Sequence, residues 1–225
     1  MIKAVFFDLD NTLVDFFRAK KSAVKAAVSA MLDSGLQGSF KEAYDLIMQI
    51  YKEEGIEYQS VFDRFLIDKY GEIKYKMLAA GVVAYRKANE DALTLFPHVT
   101  TTLTTLAKRG IKLAIITDAP AKQAWQRLCY LQLHHLFDEV VVSEDTGALK
   151  PSPLPFQYAL SKLGIQPSEA LMIGDWPDRD IVGAKNVGIH TVFARYGDPR
   201  EIEISGADYD IDDIFELVRI VEEIG

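Results

Sequence analysis

The chain has 225 residues, of which 49% are hydrophobic and 26% charged, so its composition is that of a folded protein and argues against intrinsic disorder. This length predicts either one domain with an insertion or two small domains. The formal net charge is −8, which argues against a nucleic-acid partner because binding to a phosphate backbone needs a basic surface.

The cysteine content and the apolar runs bear on the cellular location. Cys129 is the single cysteine, so an internal disulfide is excluded, and its apolar neighbours predict a buried, structural thiol. The sequence has no run of about 18 apolar residues that would predict a membrane helix, and its N-terminus lacks the pattern of a signal peptide. We therefore expect a cytoplasmic protein that has no membrane partner. Our expectation for its oligomeric state, a monomer or homodimer, does not come from these features.

Strand and helix patterns alternate over most of the chain. The first strand is the apolar, β-prone run at residues 3–9, and only helical periodicity follows it from 16 to 95. The remaining elements are, in chain order, helix 98–109, strand 112–117, helix 120–131, strand 139–143, helix 154–163, strand 171–174, helix 178–186, strand 190–194, a weaker strand 209–211 and helix 212–223. This alternation predicts an α/β fold with a parallel-sheet, Rossmann-like core flanked by helices.

The stretch from 16 to 95 interrupts the alternation. It carries four segments with apolar residues at helical spacing, and glycines separate them. We therefore predict an all-helical cap domain at 16–95, inserted after the first strand of a core made of residues 1–15 and 96–225. Because ligands of open parallel sheets bind beyond the carboxyl ends of the strands, we expect this insert to act as a lid.

Acidic residues stand at the ends of two predicted strands. Asp8 and Asp10 end the first strand, and their two-residue spacing points both side chains to the same side. Asp175 and Asp180 follow the strand at 171–174. If these strands are near neighbours, up to four carboxylates converge.

Such a convergence is costly without a counter-charge. Two unit charges about 4 Å apart repel by roughly 4 kcal/mol at an effective dielectric constant near 20, and several such pairs rival the roughly 5–15 kcal/mol stability of a domain. Either the acids lie apart, or some are protonated, or a cation neutralises them. A set of a few carboxylate ligands completed by substrate oxygens suits Mg²⁺.

Two more polar residues lie at strand exits or in loops. Thr117 ends the strand at 112–117, and Lys150 stands in a loop before a helix; together a hydroxyl and an ammonium can bind phosphate oxygens. Taken singly, Asp175 could be a helix N-cap, Thr117 an ordinary strand residue and Lys150 a solvated surface residue. Their combination with the acids, in this order, favours a site for phosphate chemistry.

These residues form four motifs that resemble those of the haloacid dehalogenase-like hydrolase superfamily, over about residues 1–15 and 96–225. The insert resembles the cap of the branch that holds dehalogenases, phosphoglycolate phosphatases and β-phosphoglucomutases. The matching residues are Asp8, Asp10 and Thr12 in the first motif, DxDxT, Thr117 in the second, Lys150 in the third, and Asp175 and Asp180 in the fourth.

The resemblance implies a Mg²⁺-dependent phosphatase that acts on a small phosphorylated metabolite. Asp8 would attack phosphorus to form an aspartyl-phosphate, and Asp10 would protonate the leaving oxygen and then activate water. Mg²⁺ would be held by Asp8, Asp175 and the main-chain carbonyl of Asp10. An acid at position 10 distinguishes this chain from the true dehalogenases, which lack one and need no metal.

The resemblance also implies how the phosphoryl group is held. Thr117 and Lys150 would bind it, Asp180 would orient Lys150 or a metal-bound water, and the backbone N–H near Asp118 would be a further donor. Asp118 departs from the usual small or amide residue, and its carboxylate would repel phosphate unless it is turned away, so we assign only its backbone N–H to phosphate binding. Trp176 and Pro177 are also unusual within the fourth motif.

Basic residues at the start of the insert have two explanations. Arg18, Lys20, Lys21 and Lys25 either form a solvated helix face, which we favour, or include one or two side chains that reach the substrate.

Alternative functions stay open at this point. A phosphosugar mutase would keep its aspartyl-phosphate long enough to transfer it, and a dehalogenase-like hydrolase would share the fold. A non-enzymatic alternative is a phospho-accepting signalling module, which also combines paired acids, a Thr and a Lys on a parallel sheet. Dinucleotide binding is disfavoured because no glycine-rich turn follows the first strand.

Overall fold

A computed structural model describes residues 1–224, which form two compact units. The first unit contains Met1–Asp15 and the chain from Thr94 onward, and the second contains Phe16–Leu93. Within residues 1–224, no helix combines the length and the apolar character that are needed to cross a membrane.

The first unit is built on six strands with mainly apolar sequences. Every neighbouring pair is parallel, and the strand order is β3-β2-β1-β4-β5-β6. The predicted parallel-sheet, Rossmann-like core is therefore confirmed. The strands are β1 (Ala4–Phe7), β2 (Lys112–Ile116), β3 (Glu139–Val141), β4 (Ala170–Gly174), β5 (His190–Ala194) and β6 (Tyr209–Ile211).

The second unit contains the four helices that the apolar spacing predicts, and it buries an apolar core of its own. Gly81 is where two of its helices come close, since a Cβ there would lie 2.1 Å from Cε of Met31. The helices are α1 (Phe16–Asp33), α2 (Phe40–Glu54), α3 (Val61–Tyr70) and α4 (Tyr75–Ala92).

The sheet is flanked by further helices of the first unit. Phe156 and Ala184, from two of these helices, join the apolar cluster that covers one face of the sheet. A π-helical turn spans Pro177–Ile181, and 3₁₀ turns span Pro167–Glu169, Arg195–Gly197 and Ile214–Glu216. The helices are α5 (Val99–Lys108), α6 (Ala121–Tyr130), α7 (Ser143–Thr146), α8 (Pro153–Leu163), α9 (Val182–Asn186) and α10 (Leu217–Glu223).

The strand order explains why distant segments meet. β1 lies between β2 and β4, and Phe7, the last residue of β1, is in register with Ile115 on one side and Ile173 on the other. Because all three strands run in the same direction, the residues that follow them emerge at the same edge of the sheet.

The prediction of a solvated face at the start of α1 is wrong for Lys20. Arg18, Lys21 and Lys25 are exposed, but Lys20 is only 4% exposed. Its ammonium donates to the Tyr85 hydroxyl at 2.9 Å and lies 4.5 Å from the centre of the Tyr51 ring. The reason is helical phase, because position 20 is on the same stripe as the buried residues one turn before and one turn after it.

The prediction of a buried thiol is also wrong, since Cys129 is exposed. The buried face of α6 contains Ala124, Arg127 and Leu128. One residue further along a helix is a rotation of about 100°, so Cys129 faces solvent. An arginine occupies the apolar stripe instead.

Gly183 is required by close packing at the start of α9. A Cβ at this position would lie 2.5 Å from the Phe156 ring and 3.1 Å from the backbone of Pro151. We therefore expect Gly183→Ala to lower the free energy of unfolding by about 1–3 kcal/mol, since overpacking a filled core forces its neighbours to move. The measurement is urea denaturation followed by circular dichroism.

Val182→Ala is the matched control for this substitution. Val182 is adjacent in α9 but 45% exposed, so its truncation should change the free energy of unfolding by less than about 0.5 kcal/mol. Equal stability of the Gly183→Ala and Val182→Ala proteins would contradict the packing argument.

Candidate active site

Asp8 is the first residue beyond β1, and its environment fixes its side chain. Its N–H donates to the carbonyl of Ile173 in β4 at 2.9 Å, which continues the sheet by one hydrogen bond. The Thr12 hydroxyl donates to Oδ2 of Asp8 at 3.4 Å. The predicted nucleophile is thus buried at the carboxyl edge of the sheet.

Three of the four predicted carboxylates come together. Oxygens of Asp8, Asp175 and Asp180 lie within 4.8 Å of one another, and all three residues are buried. At this separation each pair of ionised groups repels by about 3 kcal/mol or more at an effective dielectric constant near 20. The cluster therefore needs positive charge.

Lys150 supplies part of that charge from inside the protein. Its ammonium donates to Oδ1 of Asp8 and Oδ1 of Asp180, both at 2.6 Å, and to the carbonyl of Ile116 at 2.9 Å. Burial alone would lower the pKa of Lys150, but Asp180 and Asp8 raise it above its usual value, so the ammonium stays charged. Lys150 is a buried site residue and not a surface lysine.

A glycine and a π-helical turn bring Asp180 to this position. The N–H of Trp176 donates to Oδ2 of Asp180 at 3.0 Å, so each carboxylate oxygen of Asp180 has a donor. A Cβ at Gly174 would lie 2.2 Å from that carboxyl group. Only glycine at the end of β4 leaves room for Asp180 beside the strand.

Asp175 follows β4 and is held by Arg200, which lies beyond β5. The Arg200 guanidinium donates to Oδ2 of Asp175 at 3.0 Å and to its main-chain carbonyl at 2.5 Å. Burial, and then the negative charge of Asp180, raise the pKa of Asp175 to about 7 against the opposing effects of Arg200 and Lys150.

The carboxyl group of Asp8 is perturbed in the same direction. Burial raises the pKa of Asp8 well above its usual value, and Lys150 only partly offsets this, because Asp180 and Asp175 raise the pKa further. These effects disfavour the ionised form of Asp8 relative to an aspartate in water. An added cation would favour the ionised form that nucleophilic attack requires.

Asp10 differs from the expectation that it would join the other acids. Within residues 1–224, the group of converging carboxylates does not include it. Its Oδ2 accepts a hydrogen bond from Nη1 of Arg127 in α6 at 2.7 Å. The reason is that β1 ends at Phe7, so Asp10 lies in the turn after the strand and does not keep the strand's alternation.

Thr117 and Asp118 follow β2, as the sequence predicts. The buried Thr117 hydroxyl accepts a hydrogen bond from the N–H of Ala119 at 3.1 Å. The Asp118 carboxylate accepts from the N–H of Lys150 at 2.9 Å and from the Arg179 guanidinium at 3.2 Å. Asp118 therefore holds the loop that carries Lys150, a contact that the sequence did not reveal.

Trp176 connects two of these contacts. The guanidinium carbons of Arg179 and Arg200 lie 3.8 and 4.4 Å from the centre of its indole ring. Cation–π contacts of this kind contribute about 0.5–1 kcal/mol each at exposed sites and more when they are buried. Trp176 thus supports the arginines that bind Asp118 and Asp175, which gives this unusual residue a structural role.

The segment after β5 was missed at the level of the sequence. The Tyr196 hydroxyl donates to the carbonyl of Thr12 at 2.8 Å, and a Cβ at Gly197 would lie 1.6 Å from the carbonyl oxygen of Asn11. This segment therefore packs on the turn that carries Asp10. A signal was available, since the polar run from 195 to 200 follows a predicted strand as the other site residues do.

The donor set fits a hard divalent cation. Asp8 and Asp175 offer buried carboxylate oxygens. Burial and the neighbouring carboxylates raise the pKa of both groups, so a cation beside them would stabilise their ionised forms. Oxygen-only ligands are those that Mg²⁺ prefers. The structure thus provides a site that could hold a metal ion, at the place where the strand-end acids predict one.

Comparison with known proteins agrees with this geometry. The family model described as "Haloacid dehalogenase-like hydrolase" matches residues 5–194. A curated protein of Methanothermobacter thermautotrophicus named glyceraldehyde 3-phosphate phosphatase is 36% identical over 98% of this chain and 100% of its own length. A putative pyrophosphatase of Clostridium perfringens is 31% identical over 100% of this chain and 99% of its own length.

A solved structure has the same overall architecture. The crystal structure of a phosphatase from Thermococcus onnurineus superimposes with a TM-score of 0.71 at 28% sequence identity. The match covers 98% of each chain, so the likeness is not confined to the sheet.

The raised pKa of Asp175 predicts how the stability of the metal-free protein changes with pH. An unfolded aspartate ionises near its usual value, whereas folded Asp175 keeps its proton up to about pH 7. Its contribution to folding is complete below about pH 4 and is lost as the pH rises to about 7. The urea midpoint should therefore fall over this range, and Asp175→Asn should make the fall shallower.

Asp33→Asn is the control, because Asp33 is an exposed residue at the end of α1 in the other unit. It should leave the slope of the urea midpoint against pH unchanged between pH 4 and 7. An Asp175→Asn protein whose slope matches that of the parent would show that Asp175 does not take up a proton in this range.

Proposed function

Because the chain belongs to the haloacid dehalogenase-like hydrolase family, we propose that it is a magnesium-dependent phosphatase that forms an aspartyl-phosphate on Asp8. The observation that carries this proposal is the buried cluster of Asp8, Asp175 and Asp180 with the Lys150 ammonium bound to two of them. The enzyme class is that of its relatives, since curated proteins aligned over nearly the whole chain are phosphatases by name.

In the first step, an oxygen of Asp8 attacks phosphorus and the bond from phosphorus to the leaving oxygen breaks. Asp10 gives its proton to that oxygen, which departs as an alcohol. Thr12 and Lys150 hold the Asp8 carboxylate during the attack. Lys150 and Thr117 bind the phosphoryl oxygens and stabilise their charge.

In the second step, a water molecule attacks the phosphorus of the aspartyl-phosphate. Asp10 takes a proton from the water, the bond between Asp8 and phosphorus breaks, and inorganic phosphate leaves. Asp8 returns to its ionised form and Asp10 to its protonated form. The cycle consumes one water and needs no other reactant.

Asp8, Asp175 and the main-chain carbonyl of Asp10 would hold Mg²⁺. When bound, the ion would supply positive charge that neutralises the acids and the phosphoryl group. Asp180 keeps Lys150 in place by the 2.6 Å hydrogen bond between them. Asp118 contributes its backbone N–H, while its carboxylate binds the Lys150 loop.

Glyceraldehyde 3-phosphate is the substrate that we propose first. The relative of that name is 36% identical over 98% of this chain, and a second one, from Pyrococcus furiosus, is 37% identical over 98% of it. Pyrophosphate is the competing substrate, on the basis of the 31% identical relative.

Several expectations from the sequence stay predictions. They are the role of residues 16–95 as a cap over the substrate, the cytoplasmic location and the monomeric or homodimeric state. Of the alternative functions, a dehalogenase is opposed by the acid at position 10. A signalling module is opposed by membership in a hydrolase family.

The test of the proposed function is steady-state release of inorganic phosphate in the presence and absence of Mg²⁺. The panel contains glyceraldehyde 3-phosphate, pyrophosphate, p-nitrophenyl phosphate, acetyl phosphate, and a hexose 1-phosphate given with and without its bisphosphate. Metal-dependent turnover of a phosphate ester supports the proposal. Isomerisation of the hexose phosphate without release of phosphate would favour a mutase, and a single phosphorylation from acetyl phosphate would favour a signalling module.

Substitution of the two acids of the first motif separates their roles. Asp8→Asn should abolish turnover because an amide is a poor nucleophile. Asp10→Asn should lower kcat by roughly 10²–10⁴-fold and leave Mg²⁺ binding intact, since its predicted contribution to the metal is a main-chain carbonyl. Phosphate release measures turnover, and calorimetric titration measures metal binding.

Asp68→Asn is the control for these variants, because Asp68 is an exposed residue of α3. It should keep the parent rate. Wild-type turnover in the Asp8→Asn protein would exclude Asp8 as the nucleophile and end the proposed mechanism.

Binding of Mg²⁺ should depend on pH through the raised pKa of Asp175. A protonated carboxyl group must lose its proton before it can bind the metal, so the apparent affinity for Mg²⁺ should rise as the pH increases from 6 to 8. Calorimetric titrations in two buffers of different ionisation enthalpy measure both the affinity and the protons released. An affinity that is the same at pH 6 and pH 8, with no proton release, would contradict this prediction.

A further inference from the structure

The side chain of Arg127, in the last turn of α6, contacts a residue that is distant in the sequence. Arg127 lies on the buried face of α6 with Ala124 and Leu128, and it is 8% exposed. Its Nη1 donates to Oδ2 of Asp10 at 2.7 Å, across 117 residues of sequence. A guanidinium is thus bound to the carboxyl group that handles protons in the proposed reaction.

The chemistry of this pair gives the carboxyl group a defined orientation. A hydrogen bond between a guanidinium and a carboxylate is among the strongest in proteins, and the partial burial of this pair limits competition by water. Because Arg127 has donors and no acceptor, an oxygen that accepts from it is a poor place for a proton. The bond therefore distinguishes the two oxygens of Asp10.

We propose that Arg127 is the positioning residue for Asp10, which it holds by Oδ2 so that protons are exchanged at Oδ1. This inference rests on the proposed phosphatase mechanism. In the first step the proton moves from Oδ1 of Asp10 to the leaving oxygen as the bond from that oxygen to phosphorus breaks. In the second step Oδ1 takes a proton from the attacking water as the bond between Asp8 and phosphorus breaks.

A positioning role has a signature that a purely structural role lacks. An alkyl phosphate releases a strongly basic alkoxide, so its cleavage depends on a well-placed proton donor. p-Nitrophenyl phosphate releases a stable phenolate, so its cleavage needs little protonation. The decrease in kcat/KM caused by substituting Arg127 should therefore depend on the leaving group, because kcat/KM reports the steps up to formation of the aspartyl-phosphate.

The experiment compares Arg127→Met, which keeps most of the apolar stem and removes the donors, with Arg127→Lys, which keeps one charged donor. The substrates are p-nitrophenyl phosphate and glyceraldehyde 3-phosphate, or the alkyl ester in the panel that the wild-type protein hydrolyses fastest. We expect Arg127→Met to lower kcat/KM for the alkyl ester about 10- to 100-fold and for p-nitrophenyl phosphate less than about threefold. Arg127→Lys should restore part of the loss.

A double substitution tests whether Arg127 acts through Asp10. In an Asp10→Asn background there is no carboxyl group to position, so adding Arg127→Met should lower kcat/KM for the alkyl ester no further. The double variant also removes both members of the partly buried pair, which keeps the test available if Arg127→Met alone does not fold. Circular dichroism checks the fold of each protein.

Arg109→Met is the matched control, because Arg109 also donates to a distant partner, the carbonyl of Val218, away from the site. It should leave both rates unchanged. The positioning role would be overturned if Arg127→Met lowered kcat/KM equally for the two substrates. It would also be overturned if Arg127→Met lowered kcat/KM for the alkyl ester as much in the Asp10→Asn background as in the wild-type protein. Absence of metal-dependent turnover in the wild-type protein would instead overturn the proposed function itself.

Discussion

The site depends on the ion pairs that the Lys150 ammonium forms with two buried carboxylates. The ammonium binds Asp8 and Asp180 at 2.6 Å each, so one buried cation compensates two buried carboxylates. Removal of one partner of a buried ion pair typically costs about 3–5 kcal/mol, because the remaining charge has no solvent and no counter-ion. The features that place Lys150, namely the Asp118 carboxylate on its backbone and the Ile116 carbonyl on its ammonium, are therefore part of the site.

A second principle of the site is that Asp175 and Asp10 have cationic partners other than Lys150. Arg200 binds Asp175, and Arg127 binds Asp10. This division explains how an acidic protein can gather so many acids at one edge of a sheet. It also keeps Asp10, the acid that we propose moves protons, apart from the cluster of Asp8, Asp175 and Asp180.

Much of this could be predicted from the sequence. The strand patterns, the four helices of the insert and the positions of the four motifs depend on local periodicity, and the structure reproduces them within a few residues. Predictions about single side chains were weaker. Lys20 and Cys129 were assigned to the wrong faces of their helices, because a charged residue can lie on a buried stripe and a cysteine beside it can face solvent. The side-chain direction of Asp10 was predicted from the alternation of a strand, but β1 ends at Phe7, before this residue.

The sequence by itself determined which chemical groups stand at the ends of the strands, since an apolar run followed by an acid, a hydroxyl or a lysine is a local pattern. The tertiary structure decided which of these groups pair, because β1 lies between β2 and β4 and the neighbours of each strand end come from distant segments. The bond from Arg127 to Asp10 spans 117 residues, and Arg200 reaches Asp175 from beyond another strand. No periodicity encodes such contacts, because they depend on strand order and on the direction in which each loop leaves the sheet.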